Sequence, residues 1–351
     1  MKSNWLKLNT LGAAVALIAA CGGSGQDDGT TTQFEQTLSG LVIDGYLARS
    51  TVYLDTNNDG RRNAWEPFAF TDNEGYYSYN PNTDTDYCAA TATAEQAQYC
   101  LRTNVRHSDV VVRVDGGYDV QTGEPFVGQL SRRVSDPSDD TIISPITSLL
   151  SDVRDTDDQS TVLNSLGLES TDLDVNYLNA DGAGGIDAGI LNAAIKVHKV
   201  VAVLSDRVTD TYTEIGSEVG TPNGATSAVY RELASQLTNN GLNFDETIAD
   251  TTALATVLDD TENAMREIYQ TRDLVLPTDM GTPDVPTGFS RVIQVSNNIV
   301  NVVNQVIDPS NIGVNLNEVV GQTRAIESVV IKALEETNTD TSIENAAAFF
   351  Y

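Results

Sequence analysis

The stretch that decides the fold is Asp55-Thr56-Asn57-Asn58-Asp59-Gly60-Arg61-Arg62-Asn63-Ala64-Trp65-Glu66. Taken as a loop of twelve residues, it carries oxygen-bearing side chains at positions 1, 3, 5, 9 and 12, with glycine at position 6. Glycine at this position permits a sharp turn, so that the alternating side chains before it can point to the inside of the turn. The spacing is that of a calcium loop, because Ca²⁺ prefers six to eight oxygen ligands of mixed charge.

The spacing also assigns a role to each position of the loop. Position 7 offers its backbone carbonyl, position 9 binds directly or through a water molecule, and the glutamate at position 12 closes the shell with two oxygens. The alternative interpretation is a surface turn, since Asn, Asp and Gly are also the common turn-forming residues. The candidate ligands are Asp55, Asn57, Asp59, Arg61, Asn63 and Glu66.

The residues on either side of the loop predict strands rather than the helices of an EF-hand. Thr51–Leu54 precede it, and Pro67–Phe70 and Tyr76–Tyr79 follow it. These segments are rich in β-branched and aromatic residues, which favour strands. We therefore expect the loop to connect two β-strands.

A resemblance to a known family is carried by Gly40–Tyr46, by Val52–Glu66 and by the turn Thr71–Tyr76. The region that contains them resembles the calcium-binding β-sandwich modules of bacterial surface proteins, of which the staphylococcal SdrD B-type repeats are familiar members. The resemblance implies that the loop holds Ca²⁺, with Asp72 of the Thr-Asp-x-x-Gly turn as a further candidate ligand. It also implies a stiff spacer or adhesive stalk, although this chain has one such module and no array.

The N-terminus predicts a targeting segment. Lys2 and Lys7 precede the apolar run Leu11–Ala20, which is too short to cross a bilayer as a helix. The run ends at Cys21 and resembles a bacterial lipobox, which implies cleavage before Cys21 and lipid attachment to it. An ordinary signal peptide cut at the same place is the alternative. Residue 22 is Gly and not Asp, which for a Gram-negative host implies the outer membrane by the usual sorting rule. We therefore expect a protein at the outer membrane or cell surface of a Gram-negative bacterium.

The two remaining cysteines are Cys88 and Cys100. An even pair of cysteines in a secreted chain is most simply a disulfide. The sequence has no Cys-x-x-Cys motif of the kind that binds metal or transfers electrons.

The pattern of residues predicts an α+β multidomain protein, with an N-terminal calcium-binding β-sandwich followed by a C-terminal all-α helical domain. Residues 1–20 form the signal peptide, and 21–38 form a flexible tether rich in Gly, Thr, Gln and Asp. The β-sandwich domain covers 39–144. At Ser144-Pro145 the pattern changes to that of a capped helix, and the helical domain covers 145–351.

Hydrophobic periodicity predicts the individual elements. Strands are expected at 40–46, 50–55, 67–71, 75–79, 109–114, 125–133 and 141–144. Helical stripes cover 190–208, 292–306 and 319–334, with shorter helices near 145–154, 159–166, 225–239 and 250–271. The segment 179–187 is interpreted as a glycine-rich loop that ends in a helix cap at Asp187. A second metal site involving Asp181 and Asp187 is the alternative.

Charge and missing motifs restrict the function. The formal net charge of −30 argues against binding nucleic acid through a basic surface. The two histidines, His107 and His198, are far apart in the sequence, and no zinc-protease, nucleophile-elbow or phosphate-loop motif occurs. We therefore predict a protein that is not an enzyme.

The predicted function is that of a membrane-anchored extracytoplasmic lipoprotein acting as a surface structural or interaction protein of the adhesion type. Its membrane contact is the lipid on Cys21, and its partner is an unidentified extracellular protein or polysaccharide. The alternative is a lipoprotein that binds glycans or other polymers through aromatic residues, and a carboxylate-dependent hydrolase is less favoured. The aromatic candidates are Tyr46, Tyr53, Trp65, Phe68, Phe70, Tyr76, Tyr77 and Tyr79. The alternative, which we favour, is that most of these side chains pack in the core.

Overall fold

The computed structural model describes residues 36–103, 110–134, 141–179, 182, 185–214, 222–271 and 286–307. Before Ser144 the chain forms strands and one short 3₁₀ helix at Gln96–Tyr99, and from Pro145 onward it is helical. The mixed α+β class with a helical C-terminal region is therefore confirmed.

Short strands form the N-terminal part of the described chain. They are β1 (Gln36–Leu38), β2 (Gly40–Val42), β3 (Leu47–Ala48), β4 (Thr51–Asp55), β5 (Phe68–Phe70), β6 (Tyr76–Tyr77), β7 (Tyr79–Asn80), β8 (Thr85–Asp86), β9 (Leu101–Thr103), β10 (Val110–Asp115), β11 (Tyr118–Asp119), β12 (Gln129–Val134) and β13 (Thr141–Ile143).

The largest sheet contains four antiparallel strands in the order β12-β10-β4-β5. A second sheet has the order β13-β2-β6, in which β13 runs parallel to β2. Three two-stranded pairs, β1-β9, β11-β3 and β7-β8, complete the region. Side chains alternate between the two faces of a strand, so one face of the four-stranded sheet carries the buried Val52, Leu54, Val112, Val114 and Leu130.

Two predicted strands are shorter than expected. The strand predicted at 40–46 ends at Val42, because the chain turns at Gly45, which has a φ of 68°. The strand predicted at 125–133 begins only at Gln129, after Gly128 with a φ of 112°. Positive φ values of this kind interrupt a regular strand.

The helical region contains α1 (Pro145–Leu150), α2 (Thr156–Ser165), α3 (Ala188–Glu214), α4 (Pro222–Asn240), α5 (Phe244–Ala249), α6 (Thr251–Thr271) and α7 (Pro286–Val306). The predicted start at Ser144 is confirmed, since its side chain accepts a hydrogen bond from the amide of Thr147 and Pro145 is the first helical residue. The predicted cap at Asp187 is also confirmed, because its Oδ1 accepts hydrogen bonds from the amides of Gly189 and Ile190, 3.0 Å each. The stripe predicted at 319–334 lies outside the described residues.

The strands and the helices share one hydrophobic core. Buried side chains from β2, β4 and β10 belong to the same cluster as those from α1, α3, α4 and α7. Direct hydrogen bonds also cross between the two parts, such as the one from the Tyr177 hydroxyl to the Ile43 carbonyl at 3.1 Å. The described residues therefore fold as one compact unit.

Helix α3 lies in the middle of this core. Its segment Ala188–Thr209 is long and apolar enough to cross a membrane, but 78% of its most apolar window is buried inside the protein. That burial is typical of the central helix of a packed domain.

Candidate metal centre

The twelve-residue loop connects β4 to β5, as the sequence predicts. These strands are antiparallel neighbours, with Tyr53 opposite Phe68. A further hydrogen bond joins the Leu54 amide to the Pro67 carbonyl at 3.0 Å, next to the loop. The two ends of the loop are thereby held together by the sheet.

The loop turns around the carboxylate of Asp55. This side chain is buried, and its Oδ1 accepts a hydrogen bond from the Asp59 amide at 3.0 Å, while its Oδ2 accepts one from the Gly60 amide at 2.9 Å. Asp59 in turn accepts from the Arg61 amide at 2.9 Å and from Asn63 Nδ2 at 3.2 Å. Gly60 has a φ of 74°, which accounts for the glycine at position 6.

Glu66 closes the other end of the loop. It is 3% exposed, and its Oε1 accepts hydrogen bonds from the amide and the hydroxyl of Thr56 at 2.8 and 3.1 Å. Its Oε2 accepts from the Asn63 amide at 2.8 Å. Asn57, in contrast, is exposed, and its side chain makes no hydrogen bond within the described part of the chain.

The loop carboxylate also contacts an arginine that the sequence analysis did not identify. Arg113 is 3% exposed, and its Nε lies 2.5 Å from Oδ2 of Asp55. Its Nη2 donates to Asn58 Oδ1 at 3.1 Å, and its Nη1 donates to Gln129 Oε1 at 2.9 Å and to Ser227 Oγ of α4 at 3.2 Å. Arg113 therefore connects the loop to the sheet and to a helix.

Strand register explains how Arg113 reaches the loop. It lies on β10 directly opposite Tyr53 of β4, so Asp55, two residues further along β4, is its diagonal neighbour on the same face of the sheet. The sequence did contain a signal, because Arg113 interrupts an apolar run from Val110 to Val114. A charged residue in such a strand needs a partner when it is buried.

Other polar groups extend this face of the sheet. Gln129 Nε2 donates to the Tyr53 hydroxyl and the Gly60 carbonyl at 3.0 Å each, and to Asp115 Oδ1 at 2.8 Å. Burial, followed by the charge of Asp115, raises the pKa of the Tyr53 hydroxyl far above its ordinary value of 10.0, so this hydroxyl stays protonated. The base of the loop is therefore fixed by hydrogen bonds on both sides.

The donor set can be compared with what calcium requires. All the candidate ligands offer oxygen, which is the donor that Ca²⁺ prefers. Within the described ranges, however, no three His, Cys, Asp or Glu side chains are grouped closely enough to hold a metal ion. The ligand chemistry therefore fits calcium, whereas the conformation described is one in which Arg113 neutralises Asp55.

Asp72 is placed in a separate hydrogen-bond network. Its Oδ1 accepts from the amides of Glu74 and Tyr76 at 2.8 and 2.9 Å. Its Oδ2 accepts from Asn80 Nδ2 at 2.7 Å and from the Tyr87 hydroxyl at 2.6 Å. The side chain is buried, and its four donors all lie between residues 74 and 87, in the chain that follows the loop.

The remaining predicted sites are distributed along the chain. The sulfurs of Cys88 and Cys100 lie 1.98 Å apart, in agreement with the predicted disulfide. The lipidation site Cys21 and the possible ligand Asp181 lie outside the described residues. Asp187 uses Oδ1 to cap α3.

The predicted aromatic face is only partly on the surface. Tyr53 and Tyr77 are fully buried, whereas Trp65 is 65% exposed and Phe68 is 44% exposed. The guanidinium of Arg62 lies over the ring of Phe68, 4.5 Å from its centroid. The exposed aromatic rings therefore lie at the end of the candidate calcium loop.

Comparisons with family models, with curated proteins and with solved structures gave no significant match to this chain.

Proposed function

We propose that this protein is a non-catalytic lipoprotein anchored outside the cytoplasm. Ca²⁺ bound by the loop Asp55–Glu66 stabilises its β-sandwich. The β-sandwich serves as a surface structural or interaction module of the adhesion type. The anchor is the lipid on Cys21, and the location is the outer membrane or cell surface of a Gram-negative bacterium. The partner is an extracellular protein or polysaccharide.

The observation that carries the calcium proposal is the conformation of the loop around Asp55. Backbone amides at positions 5 and 6 hold its carboxylate, and the amide at position 7 holds the carboxylate of Asp59. These contacts form a tight turn at Gly60, the position where a calcium loop needs its glycine. Backbone amides thereby fix two acidic side chains of the loop in one turn.

The chain's own residues would then contribute in different ways. Asp55, Asp59 and Glu66 supply negative charge, Asn57 and Asn63 supply neutral oxygens, and position 7 supplies its carbonyl. Bound Ca²⁺ would supply the positive charge that allows Asp55, Asp59 and Glu66 to lie around one point. Because β4 and β5 hold the ends of the loop, ordering the loop would stabilise the sheet.

Asn57 offers a direct test, because its side chain is exposed and has no hydrogen bond to lose within the described residues. Isothermal titration of Ca²⁺ into the parent and into Asn57→Ala should show binding that the variant weakens by about tenfold, which corresponds to about 1.4 kcal/mol. Asn73→Ala removes an exposed asparagine outside the loop and serves as the matched control. Absence of Ca²⁺ binding in the parent would contradict the proposal.

The second candidate function is glycan binding, and the exposure of Trp65 and Phe68 favours it. Exposed aromatic rings provide the apolar faces on which the rings of sugars can stack. Pull-down with insoluble polysaccharides should then retain the parent protein and lose Trp65→Ala. Val127→Ala is the control, since Val127 is an exposed apolar residue elsewhere, at 68% exposure.

A further inference from the structure

Arg113 is a positive charge inside the protein at the point where the candidate loop would hold a cation. Its side chain is 4% exposed, and the side chain of Asp55 is 0% exposed. Coulomb attraction between such groups is strong, because water is largely excluded from both. Arg113 therefore neutralises the first acidic position of the loop.

A calcium ion and the Arg113 guanidinium would compete for the same carboxylate of Asp55. Nε of Arg113 lies 2.5 Å from Oδ2 of Asp55, which leaves no room for a metal ion on that side of the oxygen. A divalent cation at the loop would also lie next to the buried guanidinium, and like charges in a poorly solvated site repel each other strongly. Metal binding to Asp55 therefore requires Arg113 to retract or to loosen its contact.

We propose that Arg113 is an internal cation that competes with Ca²⁺ for Asp55 and sets the calcium affinity of the loop. This inference rests on the proposed function of the loop as a calcium site. In the metal-free protein Arg113 closes the loop through Asp55 and Asn58. With Ca²⁺ bound, Arg113 would release Asp55, and Asp55 would contribute to holding the ion.

Arg113 also connects the loop to residues outside it, so calcium binding would affect their contacts. Its Nη1 donates to Gln129 of β12 and to Ser227 of α4, and the Ser227 hydroxyl also contacts Gln129 Oε1. Movement of Arg113 would change this small network. Calcium binding at the loop is thereby coupled to the hydrogen bonds between the sheet and α4, so it would also affect the helical region.

The competition predicts an unusual mutational effect. When only a fraction of molecules is competent to bind, the apparent dissociation constant increases by the inverse of that fraction. Removal of the competing guanidinium in Arg113→Gln should therefore tighten Ca²⁺ binding by about fivefold or more. Glutamine can still hydrogen-bond to its neighbours but carries no charge.

Arg132 provides a matched control on the neighbouring strand. It pairs with Asp174 and donates to the carbonyls of Ile142 and Leu173, and no group of the loop is among its partners. Arg132→Gln removes the same charge from the protein and should leave calcium affinity unchanged. Ser227→Ala is a milder variant, which removes one acceptor of Arg113 and should tighten binding by a smaller factor.

Calcium titration of the four full-length proteins by calorimetry tests the inference. Tighter binding in Arg113→Gln than in both the parent and Arg132→Gln supports the competition. Equal or weaker binding in Arg113→Gln, with a parent that binds calcium, overturns the competition but leaves the proposed function intact. No binding in any of the proteins overturns both. If Arg113→Gln does not fold without metal, Ser227→Ala decides by the same comparison.

Discussion

The guanidinium of Arg113 lies 2.5 Å from the carboxylate of Asp55, although 58 positions separate the two residues in the chain. The contact joins the centre of the four-stranded sheet to the first residue of the candidate calcium loop. Breaking one partner of a buried ion pair is costly, because the other charge stays buried and unpaired. Arg113→Gln should therefore destabilise the metal-free protein even while it improves calcium binding.

Cys21→Ser tests the lipid anchor. The variant should leave the membrane fraction and appear in the soluble fraction, since a serine at this position cannot accept the lipid. Cell fractionation followed by immunoblotting measures the change. Cys88→Ser, which leaves the lipobox intact, is the control, and a Cys21→Ser protein that stays in the membrane fraction would refute lipid anchoring.

The bond between Cys88 and Cys100 should stabilise the protein. The two cysteines are 12 residues apart, and closing a loop of this size contributes about 3 kcal/mol by the chain-entropy estimate. Urea unfolding of the double variant Cys88→Ser/Cys100→Ser should show a loss of this order. The neighbouring rings of Tyr87 and Tyr99 contact each other, with centroids 5.1 Å apart, so near-ultraviolet circular dichroism should change as well.

Mass spectrometry of a digest under non-reducing conditions provides an independent check. The peptides that contain Cys88 and Cys100 should be joined in this digest. Addition of a reductant should then separate them. Recovery of both as free thiols from protein exported to an oxidising compartment would rule out the disulfide.

Asp72→Asn distinguishes a structural role of Asp72 from a metal-binding role. Four donors converge on this buried carboxylate, and hydrogen bonds to a charged group contribute about 1.5–3 kcal/mol each. We expect the free energy of unfolding of the variant to be about 3 kcal/mol lower than that of the parent. The loss should be the same with and without Ca²⁺. Tyr87→Phe removes one of the donors and should have a smaller effect. A loss seen only in the presence of Ca²⁺ would instead identify Asp72 as a ligand.

The burial of Asp119 predicts that the stability of the protein depends on pH. Burial, followed by the charge of Asp44, raises the pKa of Asp119 above its ordinary value of 3.8. The folded protein therefore holds this proton more tightly than the unfolded chain, and the associated stability is lost as pH rises through the raised pKa. Asp119→Asn should be more stable than the parent at pH 7, and the difference should shrink below pH 3.8, where the acid is protonated in both states.

The substitution Asp119→Asn keeps the oxygen that accepts the two backbone amides. The amides of Gln121 and Thr122 both donate to Oδ1 of Asp119, and the Oδ1 of asparagine can accept the same two hydrogen bonds. Asp187→Asn is the matched control, because Asp187 also receives two amides on Oδ1 but lies at the N-terminus of α3. A negative charge is favourable there, so the control should give no gain at pH 7. Thermal unfolding at both pH values makes the comparison, and equal stability of Asp119→Asn and the parent at pH 7 would contradict the assigned burial.

Local patterns in the sequence were sufficient to predict the loop, its flanking strands and the helix caps. The spacing of Asp55, Asp59 and Gly60 determines the turn, and Ser144 and Asp187 cap helices through amides only two or three residues away. Such features depend on neighbouring residues, so they can be recognised without knowledge of the fold.

Features that depend on distant pairing could not be predicted in the same way. Strand β1 exists because Gln36–Leu38 pairs with Leu101–Thr103, and neither segment shows a strand pattern of its own. Arg113 reaches Asp55 only because of the register between β10 and β4. The sharing of one core by strands and helices likewise depends on tertiary packing.

The shared core determines how many unfolding transitions should respond to calcium. A protein with two independent domains would show one calcium-sensitive transition and one insensitive transition. Because β4 and β10 contribute to the same core as α3 and α4, we expect a single unfolding transition that responds to calcium as a whole.

Scanning calorimetry of the parent and Asn57→Ala, each with chelator and with 10 mM Ca²⁺, tests the central claim most directly. Extracellular calcium modules have dissociation constants of about 10⁻⁴ to 10⁻³ M, so 10 mM Ca²⁺ is roughly a ten- to hundredfold excess, which adds about 1.4 to 2.7 kcal/mol and raises Tm by a few degrees. We predict this rise in the parent, a smaller rise in Asn57→Ala, and equal Tm values for the two proteins in chelator. If calcium does not raise the Tm of the parent, the loop is a turn closed by Arg113 and the proposed calcium site is wrong.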